Sequence, residues 1–140
     1  MPSPTAYLQF DGTCAEALTF YAETLGGKVL MMSKYSDAPP NEKMPPVPAH
    51  WVMHGRLAWP GGGMLMGSDG GMEPFVGVKG VSLSVNCGDV AEGQRVFDAL
   101  AAGGTVKMPF GVTFWSPGFG MLVDRFGVPW MVNVEATASA

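Results

Sequence analysis

The stretch AYLQFDGTCAEALTFYAETLGG, residues 6–27, decides the fold because its order of strand, helix and glycine pair occurs twice. The second copy, VSLSVNCGDVAEGQRVFDALAAGG, occupies residues 81–104. Each copy opens on an alternating run typical of a half-buried strand, followed by apolar residues at helical three- and four-residue steps. Neither copy is long enough to enclose a core alone. The repeat therefore predicts a duplicated fold with a ligand-binding cleft shared by its halves.

Both helices have start and stop signals. Thr13 and Asp89 each stand three residues before a glutamate, Glu16 in the first copy and Glu92 in the second. The side-chain oxygen of such a residue can accept a hydrogen bond from the first helical turn while the glutamate reaches back. The glycine pair after each helix permits the left-handed conformation that ends helices. We therefore predict a capping box at both helix starts and a glycine stop at both ends.

Further strand signals complete a βαβββ order in each half. Residues 36–49 hold five prolines, which cannot donate to a sheet ladder and so predict a loop. The sequence PGGG at residues 60–63 predicts a hairpin turn. The predicted strands after the helices are residues 28–32, 51–59 and 64–67 in the first half and residues 105–108, 111–115, 121–124 and 130–134 in the second.

These elements predict an α+β fold. A length of 140 residues indicates one domain with a real core. We place its modules at residues 1–72 and 76–135, with a frayed tail at residues 136–140.

Composition excludes several functions. With only eight Lys and Arg residues and a net charge of −4, the chain has no basic stripe for nucleic acid. No apolar run is long enough to span a bilayer, so we expect no membrane association. Cys14 and Cys87 are too few for a disulfide framework, which indicates the cytoplasm. Cys14 begins a helix whose dipole can lower a thiol pKa, but its place on the apolar stripe predicts a buried, inert thiol.

Seven segments of the chain occur together in a known family. They are FDG at residues 10–12, ALTFY at residues 17–21, LGG at residues 25–27, His54, MGSD at residues 66–69, TFWSPGFG at residues 113–120 and DRFGVPWMVN at residues 124–133. Together they resemble the vicinal oxygen chelate superfamily, which includes glyoxalase I, bleomycin-resistance proteins and extradiol dioxygenases, and within it the PhnB-like branch. The resemblance spans nearly the whole chain, and its last segment is the most specific.

The resemblance implies the glyoxalase/bleomycin resistance fold. In that fold two βαβββ modules form a curved, barrel-like mixed sheet with helices on the outer face. The polar faces of the strands line a concave cavity, and four strands each supply one metal ligand. The resemblance also implies a homodimer, because paired modules from two chains often complete the cavity.

Alignment with glyoxalase-type sequences puts the metal-ligand positions on unsuitable residues. The first position falls near residues 5–7 and the fourth falls at Met131. Divalent metals in this superfamily need three or four imidazole or carboxylate donors. We therefore expect no competent metal site and no cofactor. A divalent metal, if one binds, would use Gln9, His54 and Glu135.

Strand alternation selects the residues that would face the cavity. His54 and Arg56 alternate with apolar neighbours; such a pair is most often the solvated face of a strand, which the superfamily geometry would turn inward. There, His54 could anchor the ligand or act as a general base, so it is the candidate catalytic residue. Trp115 stands beside a predicted hairpin, where a core residue is less expected. The candidate ligand-binding residues are Tyr7, Gln9, His54, Arg56, Ser82, Ser84, Trp115 and Asn133.

The leading functional hypothesis is a PhnB-like protein that binds a small, partly apolar molecule without chemistry. Two alternatives stay open: a metal-dependent lyase or dioxygenase with unconventional ligands, and a dimer whose cavity is filled by its own side chains. Relatives of this branch are often described as demethylubiquinone methyltransferases. The sequence has no glycine-rich nucleotide loop after a strand, so we do not expect methyl transfer.

Overall fold

The computed structural model describes residues 2–39, 46–71 and 74–135. The chain divides into two compact units, Met1–Gly77 and Val78–Ala140, called unit 1 and unit 2 below. Unit 1 contains β1 (Ala6–Phe10), α1 (Cys14–Leu25), β2 (Lys28–Lys34), a short 3₁₀ helix (Tyr35–Asp37), β3 (Val52–Ala58) and β4 (Met64–Asp69). Unit 2 contains β5 (Leu83–Cys87), α2 (Val90–Ala101), β6 (Thr105–Gly111), β7 (Gly118–Val123) and β8 (Pro129–Val134). The predicted tail and residues 40–45 of the proline-rich loop lie outside the described residues.

Both units have the same topology, which confirms the α+β class and the repeated βαβββ order. The strand order is β1-β4-β3-β2 in unit 1 and β5-β8-β7-β6 in unit 2. Each sheet has one parallel pair, β1 with β4 or β5 with β8, and its other pairs are antiparallel. Both four-stranded sheets are open within their units.

One helix covers one face of each sheet, and a glycine in the strand beneath allows its close approach. In unit 1 the side chains of Leu18 and Leu57 are fully buried between α1 and the sheet. A Cβ atom on Gly55 of β3 would lie 2.7 Å from Leu18 Cδ1, so a larger residue there would force the Leu18 side chain to move. Unit 2 repeats this arrangement, because a Cβ atom on Gly120 of β7 would lie 2.6 Å from the Phe97 ring. In both units, the helix therefore packs closely on the sheet over a glycine of the strand beneath it.

The two helices begin differently, although the sequence predicts the same cap for both. At α2 the Asp89 carboxylate accepts from the Glu92 amide at 2.8 Å, and the Glu92 carboxylate accepts from the Gly88 amide at 3.2 Å. The predicted capping box is therefore confirmed at α2, except that Glu92 accepts from Gly88, the residue before the cap, rather than from the cap residue Asp89. At α1 the prediction is wrong, because the Thr13 side chain makes no capping hydrogen bond.

Asp69, at the end of β4, takes the place of the missing cap on α1. Its Oδ1 accepts from the amides of Gly12 and Cys14, both at 2.9 Å, and its Oδ2 accepts from the amide of Val52 at 3.0 Å. The side chain is almost fully buried, at 1% exposure. Negative charge is also favourable at a helix N-terminus. One carboxylate therefore joins the end of β4, the start of α1 and the start of β3.

The helix ends also differ from one another. Helix α1 stops at Gly26, which is left-handed with φ of 75°, as predicted. Helix α2 ends at Ala102 in an extended conformation, and Gly103 then turns the chain with φ of 76°. A Cβ atom on Gly104 would lie only 2.2 Å from the Val123 carbonyl oxygen. In the second glycine pair, Gly103 thus allows a turn and Gly104 allows the backbone to pass close to β7. Neither glycine is the left-handed cap of α2.

The strand predicted at residues 111–115 is wrong. Strand β6 continues to Gly111, and a loop follows until β7 begins at Gly118. The Thr113 amide donates to the Ser116 carbonyl at 3.0 Å, which closes a turn that an extended strand could not form. A register shift between Met108 and Gly111 accommodates an extra residue, and Pro109 is tolerated because β6 lies at the end of the strand order.

In the part of the chain that the structure describes, neither helix has the length and apolar character needed to cross a membrane.

We predict that Asp69→Asn lowers the free energy of unfolding by roughly 2–4 kcal/mol. An amide offers only one acceptor oxygen, so at least one of the three backbone N–H groups would face an NH₂ group instead. Urea unfolding followed by circular dichroism measures the change. The matched control is Asp11→Asn on the exposed β1–α1 connection, which should change stability by no more than about 0.5 kcal/mol. Equal effects of the two variants would contradict the role assigned to Asp69.

Candidate functional site

The face of the unit 1 sheet opposite α1 carries most of its predicted site residues. Leu8 and Phe10 of β1 are buried. The alternate residues of that strand, Tyr7 and Gln9, therefore lie on the opposite face. The register aligns Tyr7 with Met66, Met66 with Arg56 and Arg56 with Met31. A neighbouring pair aligns Ser33 with His54. We call this surface the open face of unit 1, defined by Tyr7, Gln9, Met31, Ser33, His54, Arg56, Met66 and Ser68.

Tyr7 and His54 form the closest pair on the open face of unit 1. The Tyr7 hydroxyl lies 3.2 Å from His54 Nδ1, and the rings are stacked with centroids 5.7 Å apart and an interplanar angle of 26°. Tyr7 is 49% exposed, so the pair is reachable from solvent. The hydroxyl donates when Nδ1 is unprotonated and accepts when Nδ1 carries the proton. The pair can thus offer a ligand either a donor or an acceptor.

Arg56 is an exposed cation on the same face. Among the described residues its guanidinium has no carboxylate partner. Its neighbours across the register, Met31 and Met66, belong to β2 and β4. A guanidinium group presents a planar fork of donors that matches a carboxylate or phosphate. This part of the face therefore combines one anion-binding group with apolar surroundings.

Gln9 and Tyr35 brace the edge of the open face of unit 1. Gln9 Nε2 donates to the Gly70 carbonyl at 2.7 Å, and the Tyr35 hydroxyl donates to the Asp69 carbonyl at 2.8 Å. Burial raises the pKa of Tyr35, and the nearby Tyr7 and Asp69 add to this, so the hydroxyl keeps its proton. The sequence analysis missed Tyr35 because it follows a shift in the β2–β3 register that interrupts the alternation.

Unit 2 presents a corresponding face of different chemistry. The register aligns Ser84 with Met131 and Met121 in one row, and Asn86 with Asn133 and Phe119 in the next. Ser82 lies just before β5 and therefore outside the paired strands. We call this surface the open face of unit 2, defined by Ser84, Asn86, Met108, Gly111, Phe119, Met121, Met131 and Asn133.

The remaining site residues of unit 2 lie at one end of this face. Trp115 is 49% exposed, which confirms that it is not a core residue, and its ring centroid lies 5.3 Å from that of Phe119. Asn133 Nδ2 donates to Asn86 Oδ1 at 3.2 Å. The other polar atom of that amide, Asn133 Oδ1, is buried and has no hydrogen-bond partner within residues 2–39, 46–71 and 74–135. The two open faces thus hold all the predicted ligand-binding residues except Ser82 and Trp115.

Comparison with known proteins identifies the family. The family model described as 3-demethylubiquinone-9 3-methyltransferase matches residues 2–133. The chain belongs to this family. It is similar to a PhnB protein, as the resemblance predicted, and it shares the fold of a glyoxylase/bleomycin resistance protein/dioxygenase domain.

Several relatives of this PhnB-like chain match it over most of their length. It is 35% identical to Protein YjdN of Escherichia coli strain K12 over 136 residues, covering 91% of this chain and 92% of that protein. It is similar to the crystal structure of PA1353 from Pseudomonas aeruginosa, with 43% identity, a TM-score of 0.86, and 96% and 98% of the two chains covered.

A PhnB protein from Bacillus cereus, described as a putative 3-demethylubiquinone-9 3-methyltransferase, has 28% identity and a TM-score of 0.78, covering 95% of this chain and 99% of that one. A glyoxylase/bleomycin resistance protein/dioxygenase domain from Frankia sp. EAN1pec has 15% identity and a TM-score of 0.64 and covers 99% of this chain and 95% of that one. That last likeness shows the fold alone.

The donors in unit 1 do not fit the metal site that this superfamily suggests. In residues 2–39, 46–71 and 74–135, no three His, Cys, Asp or Glu residues lie together in a way that could hold a metal ion. Of the predicted metal set, Gln9 and His54 lie on the open face of unit 1. The third residue of the predicted metal set, Glu135, belongs to unit 2. The Arg56 cation on the same face also disfavours a bound cation.

Cys14 is a buried thiol, as predicted. Burial raises its pKa from 9.0 to about 12, and the neighbouring Asp69 carboxylate adds to the shift. The helix dipole favours the thiolate, but the loss of hydration and the Asp69 charge outweigh it. Burial also raises the pKa of Cys87, with Glu92 adding to the shift and Arg95 opposing it. Both thiols therefore stay protonated near neutral pH.

We predict that iodoacetamide labels neither cysteine in the folded protein at pH 8. With a pKa of about 12, only about one Cys14 thiol in ten thousand is ionised at that pH, and both thiols are buried. Mass spectrometry of the intact chain should show no adduct in buffer and two adducts in urea. The variants Cys14→Ser and Cys87→Ser assign any single adduct. Rapid labelling of Cys14 in the folded chain would contradict its burial.

Proposed function

We propose that this PhnB-like protein binds a small, partly apolar anion on the open face of unit 1, without a competent metal site. The observation that carries the proposal is the Arg56 guanidinium, which has no carboxylate partner among the described residues and lies on the same face as the stacked Tyr7–His54 pair. The ligand's anionic group pairs with Arg56, and its polar substituent meets the Tyr7 hydroxyl or the His54 ring. The apolar part lies against the methionine side chains of the same face.

The arrangement favours an anion with an apolar body over a fully polar one. Arg56 lies between Met66 and Met31 in one register row. Methionine side chains are flexible and polarisable, so they adapt to ligands of differing shape. An exposed ion pair alone contributes little, typically less than about 1 kcal/mol. Apolar contact must therefore supply much of the affinity, while Arg56 selects for charge.

Methyl transfer is not part of the proposal, although the family description and the Bacillus cereus relative carry that term. Each unit has a single parallel strand pair rather than the doubly wound parallel sheet typical of nucleotide-type cofactors. In unit 1, the amides of Gly12 and Cys14 in the β1–α1 connection already donate to Asp69. This connection is therefore not free to bind an anionic cofactor group.

The homodimer stays part of the proposal, since the resemblance implies one. The general-base role of His54 is not needed for binding and stays a prediction.

We predict that anilinonaphthalene sulfonate binds the folded protein and that Arg56→Gln weakens this binding about fourfold, corresponding to about 0.8 kcal/mol. Phenylnaphthylamine, the same ring system without the sulfonate, should bind wild type and Arg56→Gln equally well. Fluorescence titration measures both affinities. The paired probes separate the charge contact from the apolar contact, since only the sulfonate can use the guanidinium group.

Two further variants complete this test. His54→Ala should weaken both probes because it removes the ring that stacks on Tyr7. Arg95→Gln removes the same charge from the exposed side of α2 in unit 2 and should change neither affinity more than twofold. If Arg95→Gln weakens the sulfonate probe as much as Arg56→Gln does, general charge explains the binding and the proposal fails.

We also predict metal near background in protein purified without a chelator, even after incubation with nickel, zinc, iron or manganese. Elemental mass spectrometry gives the ratio of metal to chain. His54→Ala is the matched control for metal held on the open face of unit 1. Near-stoichiometric metal that disappears in His54→Ala would instead favour the lyase or dioxygenase alternative.

A further inference from the structure

The loop between β6 and β7 holds aromatic side chains outside the core. Phe114 is 97% exposed and meets the half-exposed Trp115 edge to face, with ring centroids 4.8 Å apart. Trp115 in turn meets Phe119 at 5.3 Å with an interplanar angle of 68°. Exposed aromatic clusters are uncommon in proteins unless they contact a ligand or partner. We call Phe114, Trp115 and Phe119 the aromatic corner.

The aromatic corner is held in place by the next residue of the chain. Ser116 is buried, and its Oγ lies 2.7 Å from the carbonyl oxygens of both Gly118 and Val134. The Gly118 amide donates back to the same Oγ at 3.1 Å. These bonds join the loop to the start of β7 and the end of β8. Trp115 is therefore displayed from a fixed backbone, which lowers the entropic cost of binding a ring against it.

The same end of the sheet holds a buried acceptor that lacks a donor. Asn133 Oδ1 has no hydrogen-bond partner among the residues that the structure describes, although the amide nitrogen of the same side chain donates to Asn86. A buried acceptor left unpaired costs about 1–3 kcal/mol. Phe119 lies directly opposite Asn133 in the β7–β8 register. The unpaired oxygen is thus one strand away from the aromatic corner.

Comparison of the two units shows that the open face of unit 2 lacks the charged group found on the open face of unit 1. Matching β4 with β8 places Met66 with Met131, and the registers then place Arg56 with Met121 and His54 with Phe119. A guanidinium and an imidazole in unit 1 thus correspond to a thioether and a phenyl ring in unit 2. The described strand positions on the open face of unit 2 are all uncharged.

We propose that unit 2 has a binding site of its own, for an uncharged planar heteroaromatic molecule that carries a ring N–H group. The ring packs against Trp115 and Phe119, and the N–H group donates to Asn133 Oδ1. Because Asn133 Oδ1 is buried, the ligand must displace a neighbouring side chain to reach it. Phe119 lies opposite Asn133 in the β7–β8 register. This site uses no residue of the anion site proposed for unit 1.

Indole and benzofuran test this site because they differ only in the ring atom, N–H in one and O in the other. Titrations followed by ¹H–¹⁵N NMR should show indole binding about fivefold more tightly than benzofuran. The signals that move should include the Trp115 indole N–H and the Asn133 side-chain amide. Asn133→Leu should bring the affinity ratio to about one, and Trp115→Ala should weaken both molecules about tenfold.

Matched variants separate this site from its surroundings. Val112→Ala, an exposed apolar change in the same loop, should leave both affinities unchanged. Arg95→Gln, an exposed change on α2, should also leave them unchanged. If Asn133→Leu does not fold, Trp115→Ala and the NMR shifts still decide. The proposal is overturned by equal binding of the two probes, by shifts confined to unit 1, or by no binding.

Discussion

The buried Asp69 carboxylate is the constraint on which the unit 1 site depends. It terminates β4 and accepts hydrogen bonds from the amides of Gly12, Cys14 and Val52. These amides belong to the β1–α1 connection and to the start of β3. Since Tyr7 lies on β1 and His54 on β3, the carboxylate fixes the strands that bring the two rings together. The Tyr35 hydroxyl strengthens the same junction by donating to the Asp69 carbonyl.

Unit 2 keeps the topology of unit 1 but places its buried carboxylate elsewhere. Asp124 accepts from the amides of Phe126 and Val128 at 2.9 and 3.0 Å and from the Trp130 indole nitrogen at 2.8 Å. These contacts stabilise the turn between β7 and β8. Helix α2 has its own cap in Asp89, so it does not need a carboxylate from the last strand. The two units therefore have the same topology, but their buried carboxylates accept hydrogen bonds at different places in the fold.

The sequence predicted local features better than long-range ones. Strand alternation was enough to place Tyr7, His54 and Arg56 on one face, because it depends only on neighbouring residues. The strand at residues 111–115 failed because a turn closed by Thr113 and Ser116 competes with the extended form. The cap at Thr13 failed because its competitor, Asp69, lies 55 residues from Cys14 in the sequence. No local pattern could have revealed that contact.

The contact between Tyr7 and His54 shows the same limit within the site. The two residues are 47 positions apart, and alternation fixes the side of the sheet on which they lie but not which partner each meets. Likewise, the sequence could name Asn133 as polar and inward-facing, but only the packed strands leave its Oδ1 without a donor.

The fold itself carries little information about the ligand. A domain with only 15% identity shares it, so ligand choice must depend on the side chains of the open faces. Here duplication provides an internal comparison. The matched residues Met66 and Met131 are both apolar, whereas Arg56 is charged and its counterpart Met121 is apolar. The two units share one topology but differ in the side chains of their open faces, so the two faces present different chemistry. The Arg56 charge in unit 1 and the buried Asn133 amide oxygen in unit 2 are therefore better guides to function than the family description.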